Sequence, residues 1–296
     1  MLCYRRMARV TSQSMLTISE LEKKAYEIRQ DIITALVAAK SGHSAGPLGM
    51  ADIFTALYFR VLNITPETRH DKNRDRVVLS NAHICPLLYA TLAQRGFTKR
   101  DLFLKSLRKL GSPFQGHSNN HFDIGIETCG GPLGQGLSQA VGMALAARMD
   151  EAKWRTYALM SDGELDEGQS WEAIMMAGKE RLRNLTAIID RNNIQIDGFT
   201  ENIMPLEPLA DKWRAFNWHV IEIDGHNIGQ FLDAIGEAKA VYEKPTVILA
   251  HTIPGKGVSF MENRFEWHGK PPNTEEAKQA ILELRTLQGQ IRSEHQ

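Results

Sequence analysis

Short apolar runs bounded by polar or glycine residues recur along the chain and predict β-strands. They occupy residues 76–80, 157–160, 185–189, 219–223 and 246–250. Runs of this length that are rich in aliphatic and β-branched side chains are typical of strands that are buried on both faces. The pattern therefore predicts a buried sheet of five strands.

Helical periodicity fills the segments between these runs. The first helix is predicted to begin at Ser19 and to end at Ser41, because Ser19 and Glu22 have the S-x-x-E spacing of a capping box. A second helix is predicted after Pro47. Further helical patterns occupy residues 133–151, 171–182, 227–243 and 274–296. Alternation of strands and helices predicts an α/β fold, in which a parallel sheet is flanked by helices.

The domain organisation is predicted to be simple, because the chain shows no internal repeat and no linker rich in proline or serine. We expect residues 17–296 to form a single α/β domain. Residues 1–16 carry three arginines but no apolar stretch of the kind found in secretory signals. They are expected to form a flexible N-terminal tail, and the alternative is a mitochondrial-type presequence.

Composition and charge exclude several classes of protein. Lysine plus arginine and aspartate plus glutamate both number 35, so the formal net charge is zero and a general nucleic-acid binder is not expected. No apolar run approaches the roughly 18 residues of a membrane-spanning helix. The three cysteines, Cys3, Cys85 and Cys129, form no C-x-x-C pair, which favours a reducing, cytoplasmic location.

Polar residues follow two of the predicted strands and indicate a metal site. Asp162 and Gly163 come after the second strand, and Asn192 comes after the third. Ligand sites of parallel sheets lie at the carboxyl ends of the strands. A carboxylate, an amide oxygen and a nearby carbonyl would suit Mg²⁺ or Ca²⁺. Alternatively, Asp162 and Asn192 only cap a helix and a turn.

A glycine-rich segment at residues 128–136 opens a predicted helix. Glycines in this position let backbone N–H groups approach an anion at the positive end of the helix dipole. The alternative is a turn that permits close packing. Taken with the predicted metal site, the segment favours a diphosphate ligand.

Four of the ten histidines lie in glycine-rich or strand-end segments, namely His43, His83, His117 and His268. Histidines in such loops suggest a pocket that moves protons or binds hydroxyl and phosphate groups near neutral pH. The remaining six are interpreted as structural: His70, His121, His219, His226, His251 and His295.

These segments, in this order, resemble the diphosphate-binding domain of transketolase. The resemblance rests on SGHSAGPLGM at residues 41–50, GPLGQG at 131–136, SDGELDEG at 161–168, NWHVIEIDGH at 217–226 and WHGKP at 267–271. It extends over about residues 18 to 275. Two departures are Ser161, where the family has a glycine, and Ser44, where it has a proline.

The resemblance implies a cofactor, thiamine diphosphate, and a divalent metal, Mg²⁺ or alternatively Ca²⁺ or Mn²⁺. The metal would be bound by Asp162, Asn192 and the carbonyl of Ile194. The cofactor would be lined by Gly131, Leu133, Gly163, Asn192 and His268, with His83 on its diphosphate side. His43, His117 and His268 would face the thiazolium ring and the sugar and transfer protons. Glu167 matches a family acid at the subunit contact, where it would link active sites.

Family members usually have a second domain, which binds the aminopyrimidine and most of the sugar phosphate. The resemblance therefore implies the N-terminal subunit of a split transketolase, completed by a separate pyrimidine-binding subunit in a heterotetramer. It would transfer a two-carbon ketol unit from a ketose phosphate to an aldose phosphate. The alternatives are a fragment of a full-length enzyme, a subunit of a thiamine-diphosphate-dependent 2-oxo acid decarboxylase or dehydrogenase, and a non-catalytic cofactor-binding remnant.

Overall fold

The structure, a computed structural model, describes residues 15–286. Predictions for residues 1–14 and 287–296 lie outside this range. The described strands are β1 (Arg76–Leu79), β2 (Thr156–Ser161), β3 (Leu185–Arg191), β4 (Ile194–Gln195), β5 (Gly198–Phe199), β6 (His219–Asp224) and β7 (Thr246–His251). All five predicted strands are present, and each agrees with its predicted bounds to within two residues.

The main sheet has the order β1-β2-β3-β7-β6, and every neighbouring pair is parallel. Strands β2 and β3 lie inside this sheet and are buried along their whole length, which explains their continuous apolar runs. Strands β4 and β5 form a separate antiparallel hairpin directly after β3. The predicted α/β fold with a parallel sheet is confirmed.

The helices are α1 (Ile18–Ala39), α2 (Ala45–Gly49), α3 (Ala51–Ala56), α4 (Cys85–Arg95), α5 (Arg100–Ser106), α6 (Gly136–Met149), α7 (Gly168–Lys179), α8 (Thr200–Ile203), α9 (Leu209–Ala215), α10 (Ile228–Ala240) and α11 (Thr274–Thr286). Among residues 15–286, no helix is long and apolar enough to cross a bilayer.

Helices cover both faces of the sheet. Successive side chains of a strand point to opposite faces, so neighbouring residues of one strand belong to different cores. Leu159 and Ile188 belong to a core that includes α1, α3, α4 and α10. Their neighbours Met160 and Ile189 belong to a second core, which includes α6, α7 and α9. Because helices pack on both faces, the polar residues predicted to form the site are left at the carboxyl ends of the strands.

The predicted start of the first helix was wrong. The capping box is formed by Thr17 and Glu20, not by Ser19 and Glu22. Both pairs have the same spacing, but a start at Thr17 adds the hydrogen bond from Leu21 N–H to the Thr17 carbonyl. The Thr17 N–H also donates to Glu20 Oε2 over 2.7 Å, so the capping residue lies two residues earlier than predicted, which is about half a helical turn.

The second predicted helix also begins earlier than expected. Pro47 lies inside α2 instead of preceding the helix. It is the third residue of α2, and the N–H groups of the first turn have no partner within a helix. Proline therefore costs no hydrogen bond at this position.

Candidate active site

The predicted metal ligands lie together where β2 and β3 end. The two strands pair in parallel with Ser161 opposite Asp190, so Asp162 and Asn192 emerge at the same edge of the sheet. Asp162 is fully buried. Its Oδ1 accepts the Gly163 N–H and its Oδ2 accepts the Asn193 N–H, each over 2.7 Å. These backbone groups orient the carboxylate.

Asn192 and Ile194 complete the predicted ligand set. Asn192 Oδ1 accepts the Ile194 N–H over 3.1 Å, and its Nδ2 donates to Asp190 Oδ2 over 2.8 Å. An ideal Cβ on Gly163 would lie 3.8 Å from the Ile194 carbonyl oxygen. The three predicted oxygen donors thus adjoin one turn, and glycine at position 163 keeps that turn close to β4.

The chemistry of this turn fits a divalent cation. Burial raises the pKa of Asp162 to about 6, against the opposing effects of Arg191 and the backbone N–H groups. A nearby cation would stabilise the buried carboxylate. Within residues 15–286, no group of three or more histidines, cysteines and acidic residues is placed to hold a metal. A metal here would therefore need further oxygen ligands, which a diphosphate can supply.

Arg191 is a functional candidate that the sequence analysis missed. Its Nη1 donates to Asp162 Oδ2 over 3.1 Å and to Thr200 Oγ1 over 3.0 Å. Its Nη2 donates to Glu201 and Glu207, each over 2.9 Å. The buried guanidinium thus connects the predicted metal ligand to the segment after β5. The available signal was an arginine between Asp190 and Asn192, just after the apolar run at residues 185–189.

The glycine-rich segment lies against the end of β1. An ideal Cβ on Gly130 would lie 2.2 Å from Ala82 Cβ, and one on Gly136 would lie 2.4 Å from Ser80 Cβ. Gly131 has a φ of 137°, which side-chain-bearing residues rarely adopt. Gly130 and Gly136 therefore permit close packing on the end of β1, while Gly131 and Leu133 line the cavity.

Glu164 is a second residue that the sequence analysis missed. It is fully buried, and it accepts a hydrogen bond from the Ser80 hydroxyl. The Gly134 N–H donates to its Oε1 over 2.7 Å, and the Ser161 N–H donates to its Oε2 over 3.3 Å. Burial raises its pKa. Glu164 thus holds the glycine-rich segment to the ends of β1 and β2. The sequence did not reveal this role, because Glu164 is one of four acidic residues within positions 162–167.

A cavity of about 380 Å³ brings most predicted site residues together. The predicted residues that line it are His43, His83, His117, His268, Gly131, Leu133, Gly163, Glu167 and Ile194. Asp162 and Asn192 do not line it, but they are buried next to Gly163 and close to Ile194. Residues from seven separate segments of the chain thus meet in one site.

The four histidines form a compact cluster. The ring centroid of His43 lies 5.2 Å from that of His83, 6.4 Å from that of His117 and 5.5 Å from that of His268. His83 and His268 are 4.9 Å apart. Burial lowers the pKa of all four imidazoles. They are therefore uncharged at neutral pH and able to accept protons.

Two histidines interpreted as structural are integrated into the fold. His226 is buried between Asp52, whose Oδ2 lies 2.9 Å from its Nδ1, and the Ile253 N–H, which donates to its Nε2 over 2.8 Å. His251 pairs with Glu222 at the surface. His295 lies outside the described residues.

The buried cluster predicts a pH-dependent stability. Burial, followed by His268, Arg108 and His117, lowers the pKa of His43 to about 4. Between about pH 6.5 and about pH 4, the unfolded chain binds a proton at His43 and the folded chain does not, so stability is lost as the pH falls. From about pH 7 to about pH 5, we expect the wild type to lose about 2 kcal/mol more unfolding free energy than His43→Asn. Urea denaturation at the two pH values measures this difference, and equal losses in both proteins would contradict it.

Comparison with known protein families identifies the fold. The family model described as "Transketolase, thiamine diphosphate binding domain" matches residues 21–286. The chain belongs to the transketolase family. The predicted resemblance, the thiamine-diphosphate-binding fold and the transferase class are thereby confirmed.

Relatives of this transketolase-family chain include subunits of similar length. It is 44% identical to the 6-deoxy-6-sulfo-D-fructose transketolase subunit SqwG of Clostridium sp. (strain MSTE9), over 90% of this chain and 96% of that protein. It is 39% identical to an apulose-4-phosphate transketolase subunit of Phocaeicola vulgatus, over 91% and 95%. It is 36% identical to human transketolase, but it spans only 42% of that protein.

Solved structures agree with this membership. A Pichia stipitis transketolase in complex with sedoheptulose-7-phosphate superposes with a TM-score of 0.83 at 33% identity, over 93% of this chain and 45% of that one. A Campylobacter jejuni transketolase superposes with a TM-score of 0.81 at 33% identity, over 90% and 42%. The match therefore spans nearly all of this transketolase-family chain and less than half of each of these two enzymes.

Proposed function

We propose that this chain is the N-terminal, thiamine-diphosphate-binding subunit of a two-subunit transketolase. It transfers a two-carbon ketol unit from a ketose phosphate to an aldose phosphate in carbohydrate metabolism. The observation that carries this proposal is the cluster of four uncharged histidines beside the Asp162 turn. Relatives that are named as transketolase subunits match along nearly their full length, which supports the two-subunit arrangement.

The metal is proposed to be Mg²⁺, with Ca²⁺ or Mn²⁺ as alternatives, held by Asp162, Asn192 and the Ile194 carbonyl. The burial of Asp162 and its adjacency to two neutral oxygen donors support this assignment. Gly131, Leu133, Gly163, Asn192 and His268 are proposed to line the cofactor, with His83 on the diphosphate side.

Thiamine diphosphate, when bound, supplies stabilisation of carbanions, which protein side chains cannot provide. The chain contributes proton transfer. We assign His43, His117 and His268 to the acceptance and return of protons at the hydroxyl groups of donor and acceptor sugars. Their lowered pKa values leave them neutral, so they can accept a proton at neutral pH.

The partner is proposed to be a C-terminal, pyrimidine-binding subunit. The β4–β5 hairpin, α8 and the residue after it expose Ile196, Phe199, Ile203 and Met204, and Ile196 also lines the cavity. An apolar surface that continues from the cavity suits the subunit that would complete the site. We expect no nucleic acid as a partner, because the net charge is zero, and no membrane, because no apolar run in the sequence approaches the roughly 18 residues of a membrane span.

Self-association within a heterotetramer is proposed to use α6 and α7. These helices contact each other and expose Met149, Met175 and Met176. Glu167 immediately precedes α7 and lines the cavity, so it could link the active site to a contact between two copies of the chain.

We further propose a cytoplasmic location, since Cys85 and Cys129 are both free thiols.

The purified chain is expected to show no turnover by itself, because the aminopyrimidine side of the site would be missing. Mixed with its pyrimidine-binding subunit, Mg²⁺, thiamine diphosphate and an aldose phosphate as acceptor, it should transfer a ketol unit from a ketose donor. Donors to assay are the sugars named for relatives and structural neighbours: 6-deoxy-6-sulfo-D-fructose, apulose 4-phosphate and sedoheptulose 7-phosphate.

Sugar-phosphate products can be quantified by mass spectrometry after fixed times. Turnover by the chain alone would contradict the proposal of a half-site. Activity of the mixture only with 2-oxo acids would favour the decarboxylase or dehydrogenase alternative. Cofactor binding without turnover on any substrate would favour the non-catalytic remnant.

A further inference from the structure

We propose that Ser41 and Ser44, the two serines that flank His43, are positioning residues that set the spacing of His43, His117 and His268. The inference rests on the proposed function, because it assigns these serines a role in ketol transfer. Each serine is connected to a different histidine-bearing segment. Together they hold the central imidazole between its two neighbours.

Ser44 connects the His43 segment to the His268 segment. Its side chain is fully buried, and its hydroxyl donates to the Lys270 carbonyl over 2.6 Å. Lys270 lies two residues after His268. An ideal Cβ on Gly269 would lie 3.8 Å from His43 Nε2, and the ring centroids of His43 and His268 are 5.5 Å apart, so the two segments pack closely. A proline at position 44 could not make this hydrogen bond, because it has no hydroxyl group.

Ser41 connects the His43 segment to the His117 segment through Arg108. Arg108 Nη1 donates to Ser41 Oγ over 2.8 Å, and its Nη2 donates to the Gly116 carbonyl over 3.1 Å. Gly116 directly precedes His117. An ideal Cβ on Gly116 would lie 3.0 Å from Arg108 Cζ, so a side chain there would displace the guanidinium. Arg108 therefore bridges two segments through one planar group.

The imidazole of His43 needs this external support. Its Nδ1 is buried and makes no hydrogen bond with any residue in the described range. Its orientation is therefore set by packing and by the backbone that carries it. Gly42, between Ser41 and His43, has a φ of 130°, and an ideal Cβ there would lie 2.5 Å from Leu36 Cδ2. The turn is constrained on one side by packing and on the other by the serine hydrogen bonds.

Proton transfer is sensitive to such spacing. A catalytic group has to be within hydrogen-bond reach of the proton that it moves, and a displacement of about 1 Å can reduce a rate by about 10²-fold. Loss of the Ser44 hydroxyl is expected to let the His268 segment shift relative to His43. Loss of the Ser41 hydroxyl is expected to affect His117 in the same way.

The test uses Ser41→Ala and Ser44→Ala with ¹⁵N-histidine NMR on the full chain. We expect Ser44→Ala to shift the His43 and His268 imidazole signals more than those of His117. Ser41→Ala should shift the His43 and His117 signals more than those of His268. A general loss of stability would move all four imidazoles together, so this difference separates positioning from a purely structural role.

Thr55→Val is the matched control. The buried Thr55 hydroxyl also donates to a backbone carbonyl, that of Ala51, over 2.7 Å, but it does so within α3. It should leave the imidazole signals and kcat unchanged. In the assembled enzyme, Ser44→Ala should lower kcat by about 10-fold to 100-fold, with the affinity for thiamine diphosphate retained.

Two results would overturn the proposal: imidazole signals in both serine variants that stay at their wild-type positions, or a kcat of the Ser44→Ala enzyme equal to that of the wild type. The NMR measurement needs no turnover. If the wild-type assembly transfers no ketol unit on any sugar, the proposed function fails, whereas the signal pattern still decides whether the serines position the histidines.

Discussion

Asp162→Asn is expected to abolish metal-dependent binding of thiamine diphosphate. Asparagine keeps the size of the side chain, but its single carbonyl oxygen can accept only one of the Gly163 and Asn193 N–H groups, and it removes the negative charge. In the presence of Mg²⁺, the affinity should fall by at least about 100-fold, since even indirect partners of metal sites change affinity by about 10-fold to 100-fold. Isothermal titration calorimetry with and without Mg²⁺ measures the effect.

Asp224→Asn is the control for this substitution. Asp224 is also a buried carboxylate at the end of a strand of the same sheet, and it accepts a backbone N–H, that of His226, over 2.9 Å. It lies outside the cavity, so its replacement should leave the affinity unchanged. A calorimetric affinity of Asp162→Asn equal to that of the wild type would remove the basis for the metal assignment.

His43→Asn is expected to lower kcat of the assembled enzyme by about 10²-fold to 10⁴-fold, the usual contribution of a positioned acid or base. Asparagine can form a hydrogen bond but cannot accept a proton near neutral pH. The His43 ring has a nitrogen that can take up a proton, and it is neutral near pH 7 because burial lowers its pKa to about 4. Steady-state kinetics at saturating cofactor and substrate measure kcat separately from KM.

His251→Asn serves as the control for the His43 variant, because His251 lies outside the cavity and pairs with Glu222. It should retain wild-type kcat. A His43→Asn enzyme with wild-type kcat and a raised KM would mean that His43 only binds the substrate and moves no proton.

The strands were predictable because each one is a short apolar run in a chain of mixed polarity. Parallel pairing followed from the helical segments between strands, which have the length of crossover connections. The adjacency of Asp162 and Asn192 followed in turn, since β2 and β3 are consecutive in the main sheet and pair directly. The placement of β7 between β3 and β6 did not follow, because apolar runs carry no information about the order in which strands pair.

The start of α1 illustrates a local ambiguity. Thr17 with Glu20 and Ser19 with Glu22 satisfy the same spacing rule, and only the hydrogen bonds of the folded chain distinguish them. In the site, too, the sequence does not show which residues far apart in the chain form hydrogen bonds. Glu164 and Arg191 gain their roles from Ser80, Gly134, Thr200 and Glu207, which no local motif connects to them.

The amino-acid sequence by itself determined the strands, the residues that follow them and the family resemblance, because these depend on neighbours in the chain. The sequence also singled out four of the ten histidines, because they lie in glycine-rich or strand-end segments. Only the tertiary structure decided their distances, their lowered pKa values and the hydrogen bonds of Ser41 and Ser44. The physical reason is that burial and contact depend on how segments as far apart as His43 and His268 pack, which no local pattern records.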